Sequence, residues 1–292
     1  MMFLPKNNST ILFSLVIMLT SIGFFSSCSL IDPASPVPTY LQIDSIHLET
    51  DPTIQGSNSS KITDAWVFVD QKYIGTFPLP AKVPIIADGT HEITIRAGII
   101  ENGISSTRSA YPKFTGLDTI FEMHSNNTYA ISPTITYNAS TIFTQMEDFD
   151  DASVSFSNTA NGSASLTILS SLDPNAFEGN SGVATVDSSH LIFETASTNY
   201  LFLPLGTPVY IEMNYKSDVN FIVGDFITTG FINQNPMITL RASSTWKKVY
   251  LNMSDLGAIW NEASSYKIYF RADKSSTAAT SNIYFDNIKV VY

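Results

Sequence analysis

Apolar and polar residues alternate along most of the chain in short runs of period two, which predicts strands. In "DAWVFVDQKYIGTF" (64–77) the alternation runs up to a turn near Asp70-Gln71, and a second strand follows. "ADGTHEITIRAG" (87–98) has a turn signal at Asp88-Gly89, after which Ile93 and Ile95 alternate with Thr94 and Arg96. "NNTYAISPTITY" (126–137) supplies a later strand. From about residue 144 onward the runs come closer together: "ASLTIL", "GVATV", "HLIFET", "PVYIEMNY", "NFIVGDFI", "PMITLRA", "WKKVYLNM", "YKIYFRA" and "NIYFDNIKVVY". About nine or ten strands in such a length predict a two-sheet jelly roll. The whole therefore reads as all-β, a small β-sandwich followed by a two-sheet β-jelly roll.

One segment breaks the pattern. Lys6 precedes an unbroken apolar run, "ILFSLVIMLTSIGFF" (11–25), and "SSCS" follows. A basic start, a short apolar run and small residues fit a secretory signal. The run is short for a membrane-spanning helix, which needs about 20 residues. Cys28 is the one cysteine in the chain, so no internal disulfide forms. It is either a chance residue of a signal peptide or a lipidation site. Phe25-Ser26-Ser27-Cys28 resembles the lipobox of bacterial lipoproteins, with Phe25 where Leu is usual. That resemblance implies a signal peptide over 1–27, a lipidated Pro-rich tether over 28–40, and a membrane anchor of several acyl chains, which hold stably where one does not. Ser29, not Asp, follows Cys28, which by the same resemblance implies the outer membrane.

Composition adds two limits. In 292 residues, hydrophobic side chains make up 44% and aromatic ones 12%, ample for packed cores. The net charge of −11 excludes a nucleic-acid binder, which needs a basic surface to meet phosphates.

The segments "WVFVDQKYIGTFPLP" and "DGTHEITIRAG" resemble the PEGA-like module, with Gln71 where that family tends to have Gly. The resemblance implies a small β-sandwich over 41–143 serving as an envelope spacer or interaction unit. "MEDFDD", "FEGNSGVATV", "STWKKVYLNMSDL" and "NIYFDNIKVVY" resemble the galactose-binding-like jelly roll of carbohydrate-binding modules, which implies such a fold over 144–292. Together these features resemble an outer-membrane lipoprotein of the Bacteroidota type.

Candidate chemistry is sparse. His91-Glu92 lacks the second His of H-E-x-x-H, since Ile95 stands there. The four histidines (His47, His91, His124, His190) are scattered, and no Ser/His/Asp signature is present. "MEDFDD" (146–151) packs four acids into five positions. Glycosidases need a carboxylate pair at set spacing. On a strand Glu147 and Asp151 would share one face with Phe149 between them, and Asp148 and Asp150 the other, which does not match the E-x-D-x-E of jelly-roll glucanases. The expectation is a non-enzyme. The acids are then a solvated linker or part of a structural calcium site, since Ca²⁺ takes six to eight oxygens. The carbohydrate-binding resemblance places first and last strands side by side and implies Glu147 or Asp148 at the start and Asp286 near the end as ligands; the loop "NAFEGNSG" could add carbonyls or the side chains of Glu178 and Asn180. Asp286 shares parity with Tyr284, Ile288 and Val290, so a carboxylate there needs a partner.

For a ligand face, Val209, Ile211 and Met213 of "PVYIEMNYK" point to the core, while Tyr210, Glu212 and Asn214 share the other parity. In "YKIYFRA" Tyr266, Ile268 and Phe270 look inward and Lys267, Tyr269 and Arg271 outward. Trp260 lies in a polar stretch. Exposed aromatics beside hydrogen-bonding groups suit a sugar ring. They are also ordinary on amphipathic strands. Two functions follow: non-catalytic glycan binding, or a structural subunit docking on an outer-membrane protein.

Overall fold

The computed structural model describes residues 36–275 and 277–292. The signal run and Cys28 lie outside them. The chain is built almost wholly from strands, and its only described helix is one turn, α1 (Pro52–Gln55), capped by the Asp51 side chain on Thr53 N.

The first half contributes β1 (Thr39–Ile43), β2 (His47–Leu48), β3 (Asp64–Val69), β4 (Lys72–Pro78), β5 (Ala81–Ile85), β6 (Gly89–Ile100), β7 (Arg108–Ala110), β8 (Gly116–Met123), β9 (Thr128–Ile131) and β10 (Thr134–Ile135). They form a sheet β4-β3-β6-β7 with β8 on β6, a sheet β5-β1-β9, and a small β10-β2 pair. Thr39 and Tyr40, expected in the tether, already belong to β1. Asp70 and Gln71 turn the β3–β4 hairpin with φ of 48° and 64°, the doubly left-handed turn that matches strand twist. Ile93 and Ile95 are buried as their alternation predicts, beside Leu41, Ile43, Val67 and Val83.

The second half is the jelly roll. β11 (Phe143–Glu147), β13 (Thr167–Leu169), β14 (Ser181–Val186), β16 (Tyr210–Ser217), β19 (Ser243–Asn252) and β21 (Ser281–Val291) make a six-stranded sheet. β12 (Phe156–Asn158), β15 (Ile192–Ser197), β17 (Phe221–Thr228), β18 (Ile232–Leu240) and β20 (Ser265–Asp273) make a five-stranded one in the order β12-β15-β20-β17-β18. The inward residues of both sheets form one core, with Phe193, Phe221, Phe270 and Phe285 at its centre.

β21 is the spine of the six-stranded sheet. It pairs with β16 along one edge, and with β14 and then β11 along the other. Asn287 is an extra residue in it, at φ 49°, where the β16 register shifts. Such a bulge reverses the alternation beyond it. Ile283 and Phe285 face the core before the bulge, and Ile288 and Val290 face it after. The shared parity expected for Asp286, Ile288 and Val290 is therefore broken: Asp286 looks away from the jelly-roll core.

Candidate functional site

The outward face of the six-stranded sheet is the expected ligand surface of Tyr210, Glu212 and Asn214. It is not open. The first module sits on it, and these residues are 2%, 0% and 3% exposed. Tyr111 Oη donates to Glu212 Oε1 at 2.6 Å, and Tyr137 Oη donates to Glu212 Oε2 at 2.8 Å. Tyr210 Oη donates to Glu101 Oε1 at 2.5 Å, and Ser59 Oγ to Asn214 Oδ1 at 3.0 Å. The backbone joins in: Asn102 N donates to Tyr250 O, and Asn252 N to Asn102 Oδ1, each at 2.8 Å. Tyr210, Tyr250 and Val291 belong to the apolar core of the first module. The parity of these side chains was legible, but their partner is the chain's own neighbouring module, so a glycan face there is corrected to an internal joint.

The joint is charged as well as apolar. Lys248 Nζ lies 3.7 Å from Glu212 Oε2 with a side chain only 3% exposed, and it has no hydrogen-bond partner. Burial pushes its ammonium below the ordinary lysine range, against the pull of Glu212. Lys289 Nζ donates to Ser57 O at 2.6 Å, and burial lowers its pKa to about 8. Burial, with Glu212 beside them, pushes the phenols of Tyr111 and Tyr137 well up, so both remain donors.

The four residues expected to share a calcium ion are dispersed. Glu147 stands opposite Ile288, on the core side of the sheet, and Asp286 stands opposite Asn214 on the outer side. Glu147 accepts from Phe149 N at 2.9 Å and from Ser155 N, closing the loop after β11. Asp148 accepts from Asp150 N at 3.2 Å. Asp286 accepts from Ser181 Oγ and Asn287 N, each at 2.7 Å, and from Glu178 N at 3.2 Å. Burial nevertheless raises its pKa to about 7. Asn180 Oδ1 accepts from Ser171 N. First and last strands are adjacent as expected, but the bulge turns their acids to opposite faces. Among the described residues no three His, Cys, Asp or Glu side chains are grouped so as to hold a metal ion. Phe149, at φ 62° and fully buried, is the reason for the crowd's shape: it plugs the core against Gly182 while the acids around it bind backbone amides.

The outer face of the five-stranded sheet is open in part. A groove of about 250 Å³ runs across it, lined among others by Ser157, Thr159, Tyr200, Phe226, Thr228 and Lys267. Tyr200 is 54% exposed, and Lys267 Nζ lies 4.5 Å from its ring centroid. The geometry is a cation–π pair, which fixes the ring's position. Neighbouring positions of β15, β18 and β20 carry a polar network. Glu194 accepts from Thr159 Oγ1 at 2.5 Å, Arg271 Nη1 at 2.9 Å, and Asn161 Nδ2 and Gln234 Nε2 at 3.1 Å each. Burial works against its ionised form, but these bonds outweigh it and hold its pKa below the usual carboxylate value.

Arg271 is thus on this outer face as expected, tied to Glu194 and Asp273. Tyr269 is on the same face but 1% exposed. Gly224 stands opposite it, and the missing side chain lets the Tyr269 ring lie down against the sheet beside Phe226, at 4.9 Å. Tyr269 therefore packs beneath the surface rather than presenting a platform. Trp260 is exposed as expected, on the loop before β20 with Nε1 donating to Gly257 O of that loop, but it does not line the groove. Tyr200 and Phe226 are absent from the expected site. Phe226 shares outward parity with Gly224 in "NFIVGDFI", which is the signal that could have found it. Tyr200 sits in a loop, where no period exists.

No family model matches the chain, and no curated protein matches it. Similar solved structures include a variant of a family 29 carbohydrate-binding module complexed with mannohexaose, at 9% identity and a TM-score of 0.35, covering 53% of this chain and 92% of that one. The family 11 carbohydrate-binding module of the cellulosomal cellulase Lic26A-Cel5E of Clostridium thermocellum is 15% identical, with a TM-score of 0.34 over 50% of this chain and 92% of its own. The enzymatically active domain of tailspike protein 4 of bacteriophage CBA120 is 14% identical, with a TM-score of 0.35 over 46% of this chain and 18% of its own.

Proposed function

We propose that this chain is a non-catalytic, lipid-anchored envelope protein that binds a glycan in the groove on the five-stranded sheet. The observation that carries the reading is the exposed Tyr200 ring, held by Lys267 over a groove edged with Ser157, Thr159 and Thr228. A flat apolar face beside fixed hydroxyl and ammonium donors suits a pyranose ring and its hydroxyls. Glu194 belongs to the adjoining network, where its oxygens are taken up by Thr159, Asn161, Gln234 and Arg271, and Asp273 shares Arg271 with it. Neither of these carboxylates lines the groove. Glycan-array binding by the chain, lost in Tyr200→Ala and weakened in Lys267→Ala, is the expected result. An array on which the folded chain binds nothing overturns it.

The anchor in this reading is Cys28, placing the protein at the outer membrane. Cys28→Ser releases it from the membrane fraction, and unchanged retention contradicts the anchor. A second reading, a structural subunit docking on an outer-membrane protein, draws on Phe202 and Phe231, each 70% exposed, and Ile232, 63% exposed. Phe231 and Ile232 are consecutive in the chain, and large bare apolar side chains side by side mark contact surfaces. Co-purification with a membrane complex, abolished by Phe231→Ser, distinguishes it from the glycan reading.

A further inference from the structure

A cleft of about 700 Å³ opens where the two modules meet. Lys61 and Thr63 of the first module line one side, and Arg241, Ser244, Thr245 and Lys247, on and before β19, line the other. It shares no lining residue with the groove on the five-stranded sheet. Its size is within the usual range for sites that take small molecules, about 300–1,000 Å³.

The charge of its lining is opposite to that of the protein. The chain has 26 acidic residues and 15 Lys plus Arg, yet no Asp or Glu lines this cleft. Lys61, Arg241 and Lys247 are exposed. None of them belongs to an ion pair among the described residues, where the other arginines, Arg96, Arg108 and Arg271, are each paired. Lys248 also lines the cleft, but its buried ammonium faces Glu212 of the joint, so the uncompensated cations are Lys61, Arg241 and Lys247. Charges of one sign between low-dielectric walls concentrate their field in the space between them. An otherwise acidic protein that gathers uncompensated cations at one concavity has a local preference for anions.

We propose that this cleft binds an oligosaccharide bearing oxyanions, carboxylate or sulfate. Lys61, Arg241 and Lys247 hold the oxyanions, and the exposed hydroxyls of Ser244 and Thr245 meet the sugar hydroxyls. A single small anion would need one cation. Cations on both walls, with hydroxyl groups between them along a cleft of this size, match a ligand carrying several oxyanions and hydroxyls together. The site is composite: it exists because the Glu212 joint holds the two modules in place.

Calorimetric titration of the full chain tests this with an oligogalacturonide, a sulfated oligosaccharide and a neutral oligosaccharide of equal length. The oligogalacturonide reads carboxylate recognition and the sulfated chain reads sulfate. At least one acidic ligand binds, its affinity falls with salt, and Arg241→Glu combined with Lys247→Glu weakens it about tenfold or more. Lys61→Glu, on the opposite wall, weakens it too, and Tyr200→Ala leaves it unchanged. All four positions are exposed, and an unchanged melting temperature confirms that each variant folds. Binding of neither acidic ligand, binding that the double variant retains, or binding only to vesicles of anionic phospholipid overturns the proposal.

Discussion

Tyr111 of the first module donates its phenol proton to Glu212 of the jelly roll at 2.6 Å, and both side chains are buried. This bond, with that of Tyr137 to the second oxygen of the same carboxylate, is the centre of the joint. Among the described residues, Glu212 is the one acidic residue within ion-pair distance of the buried Lys248. Glu212→Gln keeps the shape and an acceptor for a phenol but removes the charge facing Lys248. Removing one partner of a buried pair costs about 3–5 kcal/mol. Chemical denaturation of Glu212→Gln should show a loss of about 3 kcal/mol, with much of it recovered when Lys248→Met is added. No loss would mean that the pair does not support the joint.

Asp225 gives a pH prediction. It is fully buried in the jelly roll, Oδ1 accepts from Asn235 Nδ2 at 2.9 Å, and Oδ2 has no partner. Burial raises its pKa to about 7, against the opposing hydrogen bond from Asn235. In the unfolded chain an aspartate ionises near 4. The folded state therefore holds the proton more tightly, so the stability linked to this group is full below pH of about 4 and is lost as pH rises through about 7. Asp286, also raised to about 7, acts in the same direction. Thermal melts of Asp225→Asn should show a variant more stable than the parent above pH of about 7, by about 1–3 kcal/mol, with the difference shrinking toward pH of about 4. An equal gap at both ends of that range contradicts the assignment.

Gly224 is the floor on which Tyr269 lies. A Cβ there would overlap the Tyr269 ring and the carbonyl of Asn235. Gly224→Ala should destabilise the jelly roll by about 1–3 kcal/mol, the usual cost of forcing extra atoms into packed structure. The same variant should raise the accessibility of Tyr269 to a phenol-modifying reagent. Unchanged stability together with an unreactive Tyr269 would show that the ring has room elsewhere.

The strands were legible because half-buried strands write period two into the chain: Ile93 and Ile95, or Ile211 and Met213, face their cores as the alternation requires. Alternation also put Tyr210, Glu212 and Asn214 outside the jelly-roll core. It carries no information about what lies beyond that face, and a second module covers it. Asp286 was misassigned for a different reason. One left-handed residue, Asn287, resets the period, and asparagine in a strand looks like any other outward polar residue until the register is seen. The crowd "MEDFDD" hides a plug residue, Phe149, whose partner Gly182 is thirty-three positions away. Tyr200 was beyond the reach of periodicity because loop residues acquire their neighbours only from the fold.

The glycan of the proposed function meets the Tyr200 groove of the five-stranded sheet and not the covered Tyr210–Asn214 face. Hydrogen exchange of the chain, with and without a glycan selected on an array, tests it most directly. The account predicts added protection around Ser157–Thr159, Tyr200, Phe226–Thr228 and Lys267, and none in β16 around Tyr210–Asn214. Protection that appears in β16 and spares the Tyr200 groove would contradict it.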